Sequence, residues 1–260
     1  MSANVAAATF ALIGWILWPA WPIGTTYTKG LLRSDQHEAV LTSLEQAAME
    51  RSQWSKAIEA ESFAQIQADP RLMMIVRQSG RRLFGDHCAA CHGIDVRGQS
   101  GFPNLTTTSW LWGGDPETIA ETIRVGINSA HPDSRVSQMP DFGQSGTLPR
   151  GDIEKVAAYV RSLSEPQVSK TESSATIDAG RSVFQTNCTL CHGEDAKGKM
   201  EVGAPNLTDK FWIYGGDVQS VWTSIWRGRQ GHMPTWEGRL TPVARKILAL
   251  YVVDLRKPDQ

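Results

Sequence analysis

Two five-residue stretches, Cys88-Ala-Ala-Cys91-His92 and Cys188-Thr-Leu-Cys191-His192, contain all four cysteines of the 260-residue chain. The sequence around them repeats as well. Gly80-x-x-Leu83-Phe84 matches Gly180-x-x-Val183-Phe184, and His92-Gly93 matches His192-Gly193, both at an offset of 100. Phe102-Pro103-Asn104-Leu105-Thr106 then matches Ala204-Pro205-Asn206-Leu207-Thr208, and Trp112-Gly113-Gly114-Asp115 matches Tyr214-Gly215-Gly216-Asp217, at an offset of 102. Met139-Pro140-Asp141-Phe142 matches Met233-Pro234-Thr235-Trp236 at an offset of 94, so the first copy carries eight extra residues after Gly126. One structural unit is therefore present twice, and each copy closes with an apolar helical stripe. The stripes are Ile153, Val156, Ala157, Val160 and Leu163 in the first copy, and Ile247, Leu248, Leu250, Tyr251 and Leu255 after Thr241-Pro242 in the second.

Cysteines three apart lie on one helical turn, where both reach the vinyl groups on one edge of a porphyrin while the following histidine faces the iron. Two such motifs predict two covalently attached haem c groups, held by Cys88 and Cys91 and by Cys188 and Cys191, with His92 and His192 as axial ligands. A four-cysteine zinc site would have to join the pairs across two otherwise complete domains, and is rejected. No cysteine remains for a disulfide, and attachment of haem c implies export from the cytoplasm.

The repeat also narrows the search for the sixth ligand. Met139 and Met233 stand at matching places, each followed by proline and, two residues later, an aromatic, and are the expected thioether ligands. His131, His232 and Met200 are the competitors; His87 is assigned no role. The carbonyls of Pro103 and Pro205 are expected to accept a hydrogen bond from the second ring nitrogen of His92 and His192 and so orient each imidazole. Repetition at one place in each copy favours this structural role over a glycosylation role for Asn104 and Asn206.

Residues 3–23 form an uncharged, apolar run about as long as the roughly 20 residues that span a bilayer. Trp15, Trp18, Trp21 and Tyr27 gather at its end with Pro19 and Pro22, as at a membrane interface. An anchor is preferred to a cleaved signal peptide, since no basic segment precedes the run. Lys29 and Arg33 follow the span and oppose the positive-inside pattern; loss of an N-terminal stretch reconciles them with export. The predicted architecture is all-α: a transmembrane anchor (1–34), a polar stalk helix (35–68), a first class I cytochrome c-like domain (69–166), a flexible linker (167–176) and a second such domain (177–260). With 26 Lys+Arg against 27 Asp+Glu, no overall charge points to nucleic acid.

The Trp18-Pro19-Ala20-Trp21-Pro22 segment, Tyr27-x-Lys29-Gly30, the stalk, and the motifs Ala204-Pro205-Asn206-Leu207-Thr208-Asp209 and Trp212-x-Tyr214-Gly215-Gly216 resemble the dihaem subunit family (FixP or CcoP) of cbb3-type cytochrome c oxidases. That resemblance implies an inner-membrane, single-pass protein with periplasmic haem domains. It implies a relay of electrons from a donor cytochrome c or the bc1 complex to the monohaem and haem–copper subunits, the latter reducing oxygen. Members of the family usually carry a cytoplasmic segment before the anchor, which this sequence lacks. The alternatives are the cytochrome subunit of a membrane-bound dehydrogenase and a dihaem peroxidase; the matched Met-Pro pairs argue against an open iron site.

Overall fold

A computed structural model describes residues 3–18, 20–23, 26–28, 31–32 and 35–256. The chain divides into two compact units, residues 1–57 and 58–260. In the first, α1 (Ala3–Leu17) is followed by a short antiparallel pair, β1 (Ala20–Ile23) with β2 (Thr26–Thr28). The apolar run continues to residue 23, but its helix ends at Leu17, just before Trp18, whose proline neighbour disfavours helical backbone. Among the described residues no helix is long and apolar enough to cross a membrane. Pro19, Lys29, Gly30 and Arg33 lie outside the described residues. Most of α2 (Gln36–Ala60) also belongs to this unit.

The expected single stalk helix is two helices. α2 stops at Ala60, and α3 (Phe63–Ala68) restarts behind Ser62, which with Gln65 forms a reciprocal capping box. The second unit then continues with α4 (Pro70–His87), α5 (Ala89–His92), α6 (Pro116–Val125), α7 (Arg150–Ser164), α8 (Val168–Thr171), α9 (Ser174–Asn187), α10 (Thr189–His192), α11 (Val218–Arg227) and α12 (Pro242–Asp254). The starts follow local chemistry. Asp69, Asp115, Ser173, Asp217 and Thr241 each accept a backbone N–H of the first turn, and Pro70, Pro116 and Pro242 fill positions where a missing N–H costs nothing.

The closing helices are exchanged between the copies. α12, from the second copy, packs on α4 and α6 of the first; α7, from the first copy, packs on α9 and α11 of the second. Gly80 lets α12 approach closely, because a side chain there would meet the Tyr251 Cβ at 2.5 Å. Gly180 plays the same part opposite the Lys155 carbonyl and Tyr159. Tilted ring pairs mark both crossings, Phe84 with Tyr251 at 6.0 Å and Tyr159 with Phe184 at 5.5 Å. Ile153, Val156, Ala157, Tyr159 and Val160 of α7 share one core with Phe184, Leu207, Val221 and Ile225 of the second copy. Arg77 of α4 in turn forks onto both carboxylate oxygens of Asp254 in α12, at 2.8 and 2.9 Å.

A short connection explains this arrangement. Only residues 165–173 separate α7 from α9, and a link of that length sets consecutive helices side by side. The polar joint expected to let two domains move is instead part of one compact unit, and its turn α8 buries Val168.

Candidate haem sites

α4 and α9 each end at the first cysteine of a motif. The Cys88 N–H donates to the Phe84 carbonyl, and the His92 N–H donates to Cys88, so Cys88, Cys91 and His92 share one tight turn ended by Gly93. Cys188, Cys191 and His192 repeat this behind Phe184. His92 Nδ1 lies 3.2 Å from the Pro103 carbonyl, and His192 Nδ1 lies 3.1 Å from that of Pro205. A carbonyl only accepts, so Nδ1 carries the hydrogen and Nε2 keeps the lone pair with which an imidazole binds metal. Burial lowers the pKa of both histidines and so favours that neutral form, opposed in part by the bond to proline. Asn104 and Asn206 shape the proline loops: each side-chain oxygen accepts the backbone N–H two residues on, at 2.9 Å, and the hydroxyl of the same threonine.

Burial, with the neighbouring cysteine second, pushes the Cys88 and Cys188 thiols up to about 11.

The exchanged helices bring the methionine segments with them. Met233 pairs with Ile127 through two backbone bonds of 2.9 Å, directly after α6. Gly126, at φ +74°, ends α6 where a side chain would strike the Met233–Thr235 backbone. The Thr235 hydroxyl donates to the Arg124 carbonyl, the Trp236 N–H donates to Ile123, and the buried Trp236 ring meets His87 edge-on at 5.4 Å. Met233 is thus set beside the His92 half. Met139 pairs with Arg229 behind α11, through bonds of 2.8 and 3.0 Å, and packs with Phe142 on the core around Phe184. Sequence order would set Met139 with His92; the packing sets it with the His192 half.

Of the competitors, Met200 is 57% exposed and His232 is exposed. The His131 ring is held by Glu237 at 2.8 Å and by the Asp133 N–H at 2.9 Å.

A haem brings propionates as well as iron, and the structure offers donors for them. Trp112 Nε1 and Arg256 Nε are buried without a hydrogen-bond partner among the described residues. The Arg135 guanidinium lies over the Trp112 ring, as Arg229 lies over Tyr214, at 5.2 and 4.4 Å from the ring centres. Arg256 spans Trp110 and the Gly114 carbonyl. The residues present therefore fit the group. Sequence reading missed these arginines, although Arg135 and Arg229 stand at the same offset of 94 as the methionines.

Comparison with known proteins agrees with this geometry. Residues 78–164 match the cytochrome c family, and residues 175–252 match "Cytochrome C oxidase, cbb3-type, subunit III". The chain is 45% identical over 241 residues to the cbb3-type cytochrome c oxidase subunit FixP of Bradyrhizobium sp. (strain ORS 278), covering 93% of this chain and 82% of that protein. It is 39% identical over 253 residues to the CcoP subunit of Azospirillum brasilense, covering 95% and 84%. Both matches extend across the two motif-bearing copies and well beyond them, and the chain belongs to the FixP/CcoP family of cbb3-type cytochrome c oxidase subunits, which are electron-transfer cytochromes.

Proposed function

We propose that the chain relays electrons through two covalent haem c groups, one attached at Cys88 and Cys91 and the other at Cys188 and Cys191. His92 and His192 supply one axial ligand each through Nε2. The opposite ligands are crossed: Met233 serves the haem of His92, and Met139 serves the haem of His192. The observation that carries this reading is the pairing of Met233 with the end of α6 and of Met139 with the end of α11. When bound, haem supplies an iron that accepts and releases one electron.

The rest of the task falls to the protein. The Pro103 and Pro205 carbonyls hold the imidazole hydrogens and fix the ring planes. The methionine sulfurs close the sixth positions and raise the potential, which suits transfer without substrate binding. Trp112 Nε1 and Arg256 Nε are available to propionate oxygens, and the apolar core around Phe184 keeps water from the second site.

Electrons then pass from a periplasmic donor cytochrome c or the bc1 complex to the monohaem and haem–copper subunits of a cbb3-type oxidase. Residues 1–34 anchor the chain as a single pass in the inner membrane, 35–68 form the stalk, and the two repeat copies lie in the periplasm. Supporting the anchor, Phe10, Leu12, Ile13, Trp15 and Ile16 are exposed along α1, an apolar surface that suits a lipid environment. Purification from native membranes tests the assignment. A haem–copper subunit is expected to copurify; recovery alone, or with a quinoprotein dehydrogenase, refutes it.

A further inference from the structure

The eight extra residues of the first copy have a position that the electron relay alone does not explain. In the second copy Gly228 is followed at once by Arg229, which performs two tasks: its backbone pairs with Met139, and its guanidinium covers Tyr214. In the first copy Ile127 pairs with Met233, and Arg135, eight residues later, covers Trp112. The residues between them reach the Met233 segment from both sides. Asn128 Nδ2 donates to the Gly231 carbonyl at 2.6 Å, two residues before Met233, and to the Ser137 carbonyl at 2.9 Å, two residues before Met139, and its Oδ1 accepts the Ser137 N–H at 3.1 Å. Beyond Met233, Glu237 is held by Arg124 at 2.7 Å and by His131 at 2.8 Å.

The bonding pattern fixes the histidine's form. His131 Nδ1 accepts the Asp133 N–H, so the ring hydrogen sits on Nε2 and is donated to Glu237. Only 8% of this side chain is exposed. Arg124 also binds Glu121 at 2.8 Å and Asp133 at 3.1 Å, tying the insertion, α6 and the Met233 segment into one polar cluster. Among the described residues the Met139 segment shares the Asn128 contacts but has no counterpart of the Glu237 cluster. At the offset of 94, Gly143 stands in the place of Glu237, and Ser137 in that of Gly231.

We infer that the insertion is a latch: the Arg124–His131–Glu237 cluster keeps Met233 seated toward the His92 half, while Asn128 ties the Met233 and Met139 segments to each other. This rests on the crossed-ligand reading above. Arg124, His131 and Glu237 are positioning residues acting through Met233, and Asn128 acts on both methionine segments.

The test uses the full dihaem chain and Glu237→Ala, Asn128→Gly and the pair together. Asn128 has φ +48°, a backbone conformation that glycine keeps without strain. Imidazole serves as the probe for displacement of methionine sulfur from the ferric haems, followed by loss of their far-red charge-transfer band. Glu237→Ala is expected to speed displacement roughly tenfold at one haem, as loss of about one net hydrogen bond implies, and Asn128→Gly to speed it at both. In Glu237→Ala the other haem should be unchanged, and the potential of the affected haem alone should fall. Glu237→Gln, which keeps an acceptor on the same stem, should restore most of the wild-type rate.

Met233→Ala, measured in parallel, separates the two claims. If it leaves both bands intact, the ligand reading fails. If it removes one band while Glu237→Ala leaves displacement unaltered, or speeds it equally at both haems, the latch fails and the ligand reading stands.

Discussion

Replacing Ile153 with alanine is expected to loosen the site around His192, although Ile153 belongs to the first sequence copy. Its side chain is fully buried in the core shared with Phe184, Leu207, Val221 and Ile225. The change removes three carbons, or ~2.4 kcal/mol of transfer free energy at ~0.8 kcal/mol per buried CH2. A cavity that collapses only in part adds roughly another 1 kcal/mol, within the range of about 2–5 kcal/mol for such core substitutions. A total of about 3–4 kcal/mol raises the population of a locally opened state by two to three orders of magnitude. Hydrogen exchange followed by mass spectrometry reads this directly. Peptides of α7, α9 and α11 should lose protection, while those of α4, α6 and α12 keep theirs. The reduced protein should also acquire carbon monoxide binding at the haem of His192. Loss of protection in α4 and α6, with α9 and α11 unchanged, would refute the exchange of closing helices.

Two further outcomes are expected. In a chain with Cys188 and Cys191 replaced by alanine, one covalent haem should remain; Met233→His should then lower its reduction potential while Met139→His leaves it unchanged, and the reverse result overturns the crossed ligands. Acid should weaken the starts of α6 and α11. Hydrogen bonds from Thr118 hold the Asp115 carboxyl below its ordinary pKa, and those from Ser220 do the same for Asp217. The unfolded chain therefore binds these protons more readily, so the stability they contribute is present above the ordinary carboxylate range and is lost as pH falls through the lowered values. Asp115→Asn with Asp217→Asn should flatten the acid limb of a thermal-melting profile, and an unchanged limb would exclude these caps as its source.

The cysteine motifs, the methionine repeat and the closing helix after Thr241-Pro242 were all legible, because each depends on residues close in sequence. Partnership between helices was not. The stripes on α7 and α12 are equally apolar, and nothing in either says which copy it covers. The serine-rich link suggested a hinge, whereas its shortness, not its polarity, decided the packing of α7 on α9. Arg135 escaped notice because the insertion separates its side-chain task from the backbone task of Ile127. Hydropathy overran the end of α1 for a different reason: it counts apolar residues and ignores the restriction that Pro19 imposes on Trp18.

The cost of exchanging closing helices can be estimated from chain length. Pairing by copy would join His92 to Met139, 47 residues away (139 − 92), whereas the observed packing sets the Met233 segment 141 residues from His92 (233 − 92). Tripling a loop costs about 1 kcal/mol of closure entropy. For His192 the separation changes only from 41 residues (233 − 192) to 53 (192 − 139), worth about 0.2 kcal/mol by the same relation. Burial of Ile153 alone outweighs both. In return, neither copy is complete without the other, and residues 58–260 become one compact unit. Two self-closed copies on a serine-rich link would be free to vary their separation, whereas exchange ties each half-site to the other copy's last helix. An electron relay gains from that constraint, since the step between its two stations then occurs within a single packed body.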